Sequence, residues 1–144
     1  MAAVELRAAL AEDAAALADL VTRLGYRVTR EDVLRRLGAI AGHADHLLLI
    51  AVEGERPIGF LHACVTQTLE HDLSGEIRSL AVDEAYRSRG VGQALVDAAE
   101  RWLRGVGLSR MRVRSNVKRT RAHRFYERLG YTITKAQNVF DKEL

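Results

Sequence analysis

The sequence has few of the residues on which covalently or metal-stabilised folds depend. Cys64 is its single cysteine, which excludes both a disulfide framework and a zinc site built from cysteines. Aromatic residues make up 6% of the chain, too few for an extended base-stacking surface. Pro57 is the only proline, and no repeat, low-complexity stretch or linker divides the 144 residues. We therefore expect one domain, residues 1–144, with a core of its own.

Long hydrophobic runs are also missing. No apolar stretch approaches the roughly 20 residues that a membrane-spanning helix needs. Met1 is followed by Glu5 and Arg7 within a short apolar stretch, which does not resemble a signal peptide. These features predict a cytoplasmic protein without a membrane partner.

Charge is distributed unevenly along the chain. Residues 1–100 contain 10 basic and 16 acidic side chains, whereas residues 101–144 contain 12 and 3. The basic C-terminal part predicts an anionic partner. Nucleic acid is one alternative, but no aromatic residues alternate with the basic ones at 118–124, so we expect no nucleic-acid partner. A small polyphosphate ligand fits the same charge.

Hydrophobic periodicity predicts an α/β chain (an α+β mixed sheet) in the order β-α-α-β-β-β-α-β-α-β-β. The predicted strands are residues 4–9, 46–52, 58–69, 76–82, 111–117, 131–135 and 138–142. The predicted helices begin at Asp13, after Thr29, at about Gly90 and near Ala122. Thr29 and Asp32 have the spacing of a capping box.

The strongest chemical signal is the segment Arg87-Ser-Arg-Gly-Val-Gly92, between a predicted strand and a predicted helix. Unpaired amides and the helix dipole make such a corner an anion site, and the two glycines let a phosphate approach the backbone. The same glycines also suit a plain tight turn. The chain lacks the Gly-Lys-Ser/Thr of a P-loop and the third glycine of a dinucleotide-binding fingerprint.

This segment resembles the Arg/Gln-x-x-Gly-x-Gly/Ala motif of the GCN5-related N-acetyltransferases (the GNAT family). Residues 77–82 are similar to the central strand of that family. Asn116, together with Ala122-His-Arg-Phe-Tyr-Glu-Arg-Leu-Gly-Tyr131, is similar to its later signature. The likeness covers nearly the whole chain, implies a GNAT-like fold and says nothing about the acceptor.

The resemblance implies an acetyl-CoA site and no metal. The backbone of Leu80, Ala81 and Val82 would pair with the thioester carbonyl and the pantetheine arm. Asn116 would contact the pantetheine or hold the end of its strand. The residues whose backbone amides would cradle the pyrophosphate are Arg87, Ser88, Arg89, Gly90, Val91, Gly92, Gln93 and Ala94. Lys118, Arg119 and Arg121 lie in the region expected for the 3′-phosphate.

Two side chains are candidates for proton transfer. An amine must lose a proton before it attacks a thioester, and Glu76 occupies a position that resembles the family's general base. Its alternative role is that of a strand-end carboxylate or a partner of Arg78. Tyr126 could protonate the departing thiolate, or it could simply belong to the apolar stripe of its helix.

The expected activity is acetyl transfer from acetyl-CoA to a primary amine of a small molecule, by direct attack in a ternary complex. A protein lysine or N-terminal acceptor, and a non-catalytic acyl-CoA sensor, remain alternatives. The acceptor is expected near residues 24–27 and 70–73, where acidic residues would suit a cationic amine. We expect a homodimer, a core position for Cys64 and no metal site among the dispersed histidines.

Overall fold

The structure, a computed structural model, describes residues 3–144. The described residues form two compact units, residues 3–113 and Arg114–Leu144. Elements of the first unit are β1 (Val4–Ala8), α1 (Ala14–Thr22), α2 (Arg30–Ile40), β2 (His46–Glu53), β3 (Arg56–Thr66), β4 (Ser74–Val82), α3 (Val91–Gly105) and β5 (Met111–Val113). The second unit contains α4 (Thr120–Arg128). Across the described residues, every helix is too short or too polar to cross a bilayer.

The strands form one sheet in the order β1-β2-β3-β4-β5. The first four are antiparallel neighbours, and β5 runs parallel to β4. The turn at Gly54-Glu55 joins β2 to β3, with Glu53 opposite Arg56 and Gly54 in the left-handed region at a φ of 62°. The predicted mixed sheet with flanking helices is confirmed.

Local hydrogen bonds explain where the first two helices begin. The Asp13 carboxylate accepts two bonds from Arg7, at 2.8 and 2.9 Å, and a third from the Leu10 amide, so β1 is tied to the start of α1. The bonds from Arg7 lower the pKa of Asp13. Thr29 and Asp32 form the predicted capping box at α2, because each side chain accepts a bond from the other's backbone amide.

Helices cover both faces of the sheet. Leu17 of α1 and Leu37 of α2 belong to one buried cluster with Ile50 and Phe60. On the opposite face, α3 packs against two strand glycines. A Cβ atom on Gly75 would lie 2.6 Å from Leu103 Cδ2 of α3, so this helix sits closer to the sheet than side chains would permit.

The structure differs from the sequence prediction after Val113. The strands expected at residues 131–135 and 138–142 are wrong, since no strand is assigned to residues 131–144. Ile133 is 72% exposed and Phe140 is 90% exposed. Alternating apolar residues indicate a local preference for extended backbone. A strand forms only where a second strand is placed to pair with it.

Two predicted strands are shorter than expected because polar side chains start turns. β5 ends at Val113 rather than residue 117, and Asn116 Oδ1 accepts a bond from the Lys118 amide at 2.9 Å. β3 ends at Thr66 rather than residue 69, and Thr68 Oγ1 accepts a bond from the His71 amide. Both are local side-chain-to-backbone bonds that compete with a sheet ladder.

Candidate active site

The loop that leaves β4 is held by buried polar contacts. Asp83 Oδ1 accepts a bond from the Ala85 amide at 3.0 Å, which starts a single 3₁₀ turn ending at Tyr86. The Tyr86 hydroxyl donates to Glu53 at 3.2 Å, and the guanidinium groups of Arg56 and Arg89 lie over its ring, 5.6 and 5.2 Å from the centroid. These contacts fix the loop that precedes α3.

The loop then adopts two left-handed backbone conformations just before α3 begins. Ser88 has a φ of 64° and is the only described non-glycine residue with a positive φ; Gly90 has a φ of 80°. No side chain caps the helix, and its first backbone bond runs from the Ala94 amide to the Gly90 carbonyl. The preceding amides therefore lack helical partners. A Cβ on Gly90 would meet nothing within 4 Å, so there is open space for a phosphate.

The central strand β4 carries a bulge before its last residues. Ala63 of β3 lies opposite Ile77, and His62 lies opposite Ser79, which leaves Arg78 as the extra residue. On its other side β4 pairs with β5 only as far as Ile77, within the described sheet. Beyond that point the segment Leu80–Val82 pairs with β3 alone among the described strands, so part of its backbone is available to a ligand.

Glu76 lies on β4 at the start of this segment. It is 6% exposed, and its Oε1 accepts a bond from Arg78 at 2.9 Å. The partnership with Arg78 that the sequence suggests as an alternative is therefore present. Glu70 and Asp72, which are close to Glu76 in sequence, are exposed.

A histidine pair on β2 and β3 was missed by the sequence analysis. His46 Nδ1 and His62 Nε2 lie 3.0 Å apart, and the two rings are stacked with centroids 5.2 Å apart. The sequence does contain a signal for this pair. The short turn at residues 54–55 sets the register of the hairpin, and that register brings His46 opposite Cys64, two residues from His62. Among residues 3–144, no three His, Cys, Asp or Glu side chains form a group able to hold a metal ion.

Burial alters the acid–base properties of this neighbourhood. It lowers the pKa of His62 to about 4, with the charges of His46 and Arg78 adding to the effect. Burial likewise raises the pKa of the Cys64 thiol, which is 8% exposed and lies in the core as predicted. His62 is therefore a neutral imidazole at pH 7.

In the second unit, Asn116 organises the turn after β5. Its side-chain oxygen binds the Lys118 amide, and its carbonyl oxygen accepts a bond from the Arg119 amide at 2.9 Å. The same carbonyl lies 2.9 Å from His123 Nε2. Lys118, Arg119 and Arg121 are exposed around this turn.

Tyr126 lies on α4 in a small aromatic cluster. Its ring makes edge contacts with Phe125 and Tyr131, at centroid distances of 5.1 and 5.9 Å. Burial raises the pKa of the Tyr126 phenol to about 12, although the nearby charge of Arg119 acts in the opposite direction. The phenol therefore stays protonated at pH 7, and its raised pKa makes it a weaker acid than a free tyrosine.

A model of the acetyltransferase (GNAT) family matches residues 11–131, which include the α3 turn, β4 and α4. The chain belongs to this family. It is 29% identical to the uncharacterized N-acetyltransferase YhdJ of Bacillus subtilis (strain 168), over 79% of this chain and 81% of that protein. It is 30% identical to aminoglycoside N(6')-acetyltransferase type 1 of Klebsiella aerogenes, over 74% of this chain and 72% of that protein.

The GNAT fold is also evident in comparison with solved structures. Aminoglycoside N-acetyltransferase AAC(6')-Iy in complex with CoA matches with a TM-score of 0.87 at 19% identity, covering 100% of this chain and 97% of that one. The resemblance identified from the motifs is thus confirmed as family membership, and the chain is an acyltransferase of the GNAT type.

Proposed function

We propose that this protein transfers an acetyl group from acetyl-CoA to the primary amine of a small molecule, by direct attack in a ternary complex. The observation that supports this best is the turn before α3, where Ser88 and Gly90 have positive φ and no described side chain caps the helix, which follows a strand whose last residues have no second partner among the described strands. The turn suits a pyrophosphate, and the strand suits an extended amide-containing arm.

Acetyl-CoA supplies an activated acetyl thioester. The backbone amides of residues 87–94 would hold the pyrophosphate at the N-terminus of α3. The backbone of Leu80, Ala81 and Val82 would pair with the pantetheine arm and the thioester carbonyl. Asn116 would hold the turn that follows β5, and Lys118, Arg119 and Arg121 would supply positive charge for the 3′-phosphate.

Glu76 and Tyr126 would move the protons. Glu76 would accept the amine proton, directly or through a water molecule, which creates the neutral nucleophile. Its low exposure and its bond from Arg78 keep the carboxylate in one orientation. Tyr126 would donate a hydrogen bond and then a proton toward the leaving sulfur, for which its protonated state is required.

We also propose that the protein acts as a homodimer. Ile133, Val139 and Phe140 of the second unit are 72%, 85% and 90% exposed. Apolar side chains grouped in one short segment are typical of an interface, and a second copy of this chain would cover them. Sedimentation analysis of the wild type and of Phe140→Asp tests this, because loss of a contact at Phe140 would shift the dimer to monomer.

The deciding experiment measures thiol release from acetyl-CoA with a panel of primary amines and lysine peptides. We expect release with small amines. Release with peptides alone would replace the small-molecule acceptor by a protein acceptor. Tight acetyl-CoA binding without release from any acceptor would indicate an acyl-CoA sensor.

A further inference from the structure

A cavity of about 140 Å³ lies in the first unit between α1, α2 and the central strands. Its wall is mainly aliphatic, and includes Leu17 from α1, Leu37 from α2 and Leu48 from β2. Ligand sites in proteins are predominantly apolar with a few placed polar groups, and this cavity has that composition. Its volume admits only one part of a drug-sized ligand.

The floor of the cavity includes a row of three residues that crosses three neighbouring strands. Leu48, His62 and Ser79 lie opposite one another on β2, β3 and β4, so their side chains share a face of the sheet. Ser79 immediately precedes Leu80, where the thioester carbonyl is proposed to bind. A molecule in the cavity would therefore lie beside the acetyl group.

The lining contains no acidic side chain. Its one charged side chain is that of Arg36, which is exposed at the surface of α2. His62 is uncharged at pH 7, since its pKa is about 4 and its Nε2 is engaged with His46. The cavity thus offers an apolar wall with two polar but neutral contacts, His62 and Ser79, and no partner for a second ammonium group.

We propose that this cavity binds the hydrocarbon part of the acceptor, which is then a primary amine with a compact apolar substituent of five or six carbons. The size follows from volume, because an apolar cavity of about 150 Å³ holds one benzene molecule. A polyhydroxylated or polycationic amine would bury polar groups there without partners. The inference rests on the proposed acetyl transfer.

The test uses n-alkylamines from ethylamine to octylamine as acceptors. Their amino groups have similar basicity, so differences in kcat/KM report how the chain is bound. We expect kcat/KM to rise about fourfold with each added methylene, as for a CH₂ moved out of water, and to level off at five or six carbons. Spermidine and kanamycin serve as polar comparisons.

Two variants of Val28, which lines the cavity and is half-buried, should shift this pattern in opposite directions. Val28→Phe fills the space and should lower the ratio of hexylamine to ethylamine kcat/KM at least tenfold. Val28→Ala enlarges it and should move the plateau to a longer chain. Val106→Phe adds the same atoms at the exposed end of α3 and should leave the whole series unchanged.

The outcomes separate this inference from the activity on which it rests. A flat dependence on chain length, or a tenfold preference for spermidine or kanamycin over hexylamine, overturns the inference and leaves acetyl transfer standing. If no amine releases thiol, the proposed acetyl transfer is wrong. Calorimetric titration of the protein with hexylamine then tests separately whether the cavity binds an alkyl chain. Hexylamine binding that is lost in Val28→Phe would support the cavity as the binding site. Absence of hexylamine binding would overturn the inference about the cavity as well.

Discussion

The Arg78 guanidinium donates to Oε1 of Glu76 over 2.9 Å, from the extra residue of a strand bulge to a carboxylate that is almost wholly buried. Side chains two residues apart on a strand lie on the same face, which places Arg78 within reach of Glu76. The arrangement gives Glu76 a structural role that exists whether or not it also takes a proton.

Glu76→Gln separates these two roles. The amide keeps the shape and can still accept a bond from Arg78, but it cannot take up the amine proton. Turnover near pH 7 should fall by about 10²–10⁴-fold and recover as pH approaches the amine's own pKa near 10.4. Glu55→Gln, in the exposed hairpin turn, is the matched control. A pH–rate profile of unchanged shape, with acetyl-CoA saturating, would return Glu76 to a purely structural role.

Tyr126→Phe tests the proposed proton donor. The substitution keeps the ring and its contacts with Phe125 and Tyr131 and removes only the hydroxyl. Turnover should fall by roughly 10²–10⁴-fold, while melting temperature and acetyl-CoA affinity stay close to wild type. Tyr131→Phe removes a neighbouring phenol and should have no such effect. Full turnover in a stable Tyr126→Phe protein would contradict the assignment.

Gly92→Glu tests the anion site at the start of α3. A carboxylate in the first helical turn favours the helix itself, so the fold should persist. The same charge repels a pyrophosphate, and affinity for acetyl-CoA should drop at least about tenfold, or 1.4 kcal/mol. Gly92→Gln supplies the bulk without the charge and should bind more tightly than Gly92→Glu. Equal calorimetric affinity for wild type and a folded Gly92→Glu would remove the cofactor site from this corner.

The half-buried His62 predicts a loss of stability in mild acid. The pKa of His62 is about 4 in the folded chain and near 6.5 when unfolded, so the unfolded state binds the extra proton between these values. Its stabilising contribution is complete above pH 6.5 and decreases as pH falls toward 4. Partial exposure limits the loss to roughly 1–2 kcal/mol between pH 7 and 5.

Urea unfolding of His62→Gln at both pH values measures this contribution. The variant should lose less stability than wild type over that interval, because its side chain does not titrate. His71→Gln, in the exposed loop after β3, should behave like wild type. A difference between pH 7 and 5 that is the same in all three proteins would contradict the prediction.

Two glycine-to-alanine substitutions should change stability in opposite directions. Gly75→Ala places a Cβ 2.6 Å from Leu103 and should destabilise by about 1–3 kcal/mol, the usual cost of overpacking. Gly38→Ala lies in α2, meets nothing within 4 Å and should stabilise by roughly 0.5–1 kcal/mol through helix propensity. Thermal unfolding of both variants measures the effects. An unaffected Gly75→Ala protein would show that α3 can retreat from the sheet.

The features predicted correctly from sequence depend on neighbours along the chain. The capping box at Thr29 and Asp32 forms from residues three apart, and the strands around the 54–55 turn pair because that turn is short. The helix after Gly90 was predicted with nearly correct bounds for the same reason. Family motifs then predicted an acetyl-CoA site, and both that site and its individual residues remain proposals.

The features that were missed depend on contacts between distant residues. The bulge at Arg78 is a shift in the register between β3 and β4, two strands whose pairing no local sequence pattern specifies in such detail. Predicting the His46–His62 pair would have required extending the β2–β3 register from the turn at residues 54–55 to the opposite end of the hairpin. Residues 131–142 show strand-like alternation, but alternation cannot specify a pairing partner.

The two strand glycines also bear on the length of the acyl donor. Leu95 and Leu103, the α3 residues that face Gly59 and Gly75, are eight residues apart and therefore about 12 Å apart along the helix. Contact at two such points resists sliding of α3 over the sheet. The amide turn at residues 88–90 consequently stands at one set distance from the bulge of β4. If the proposed donor binds at both places, its length has to match that distance, and a short thioester without phosphates would reach only the bulge.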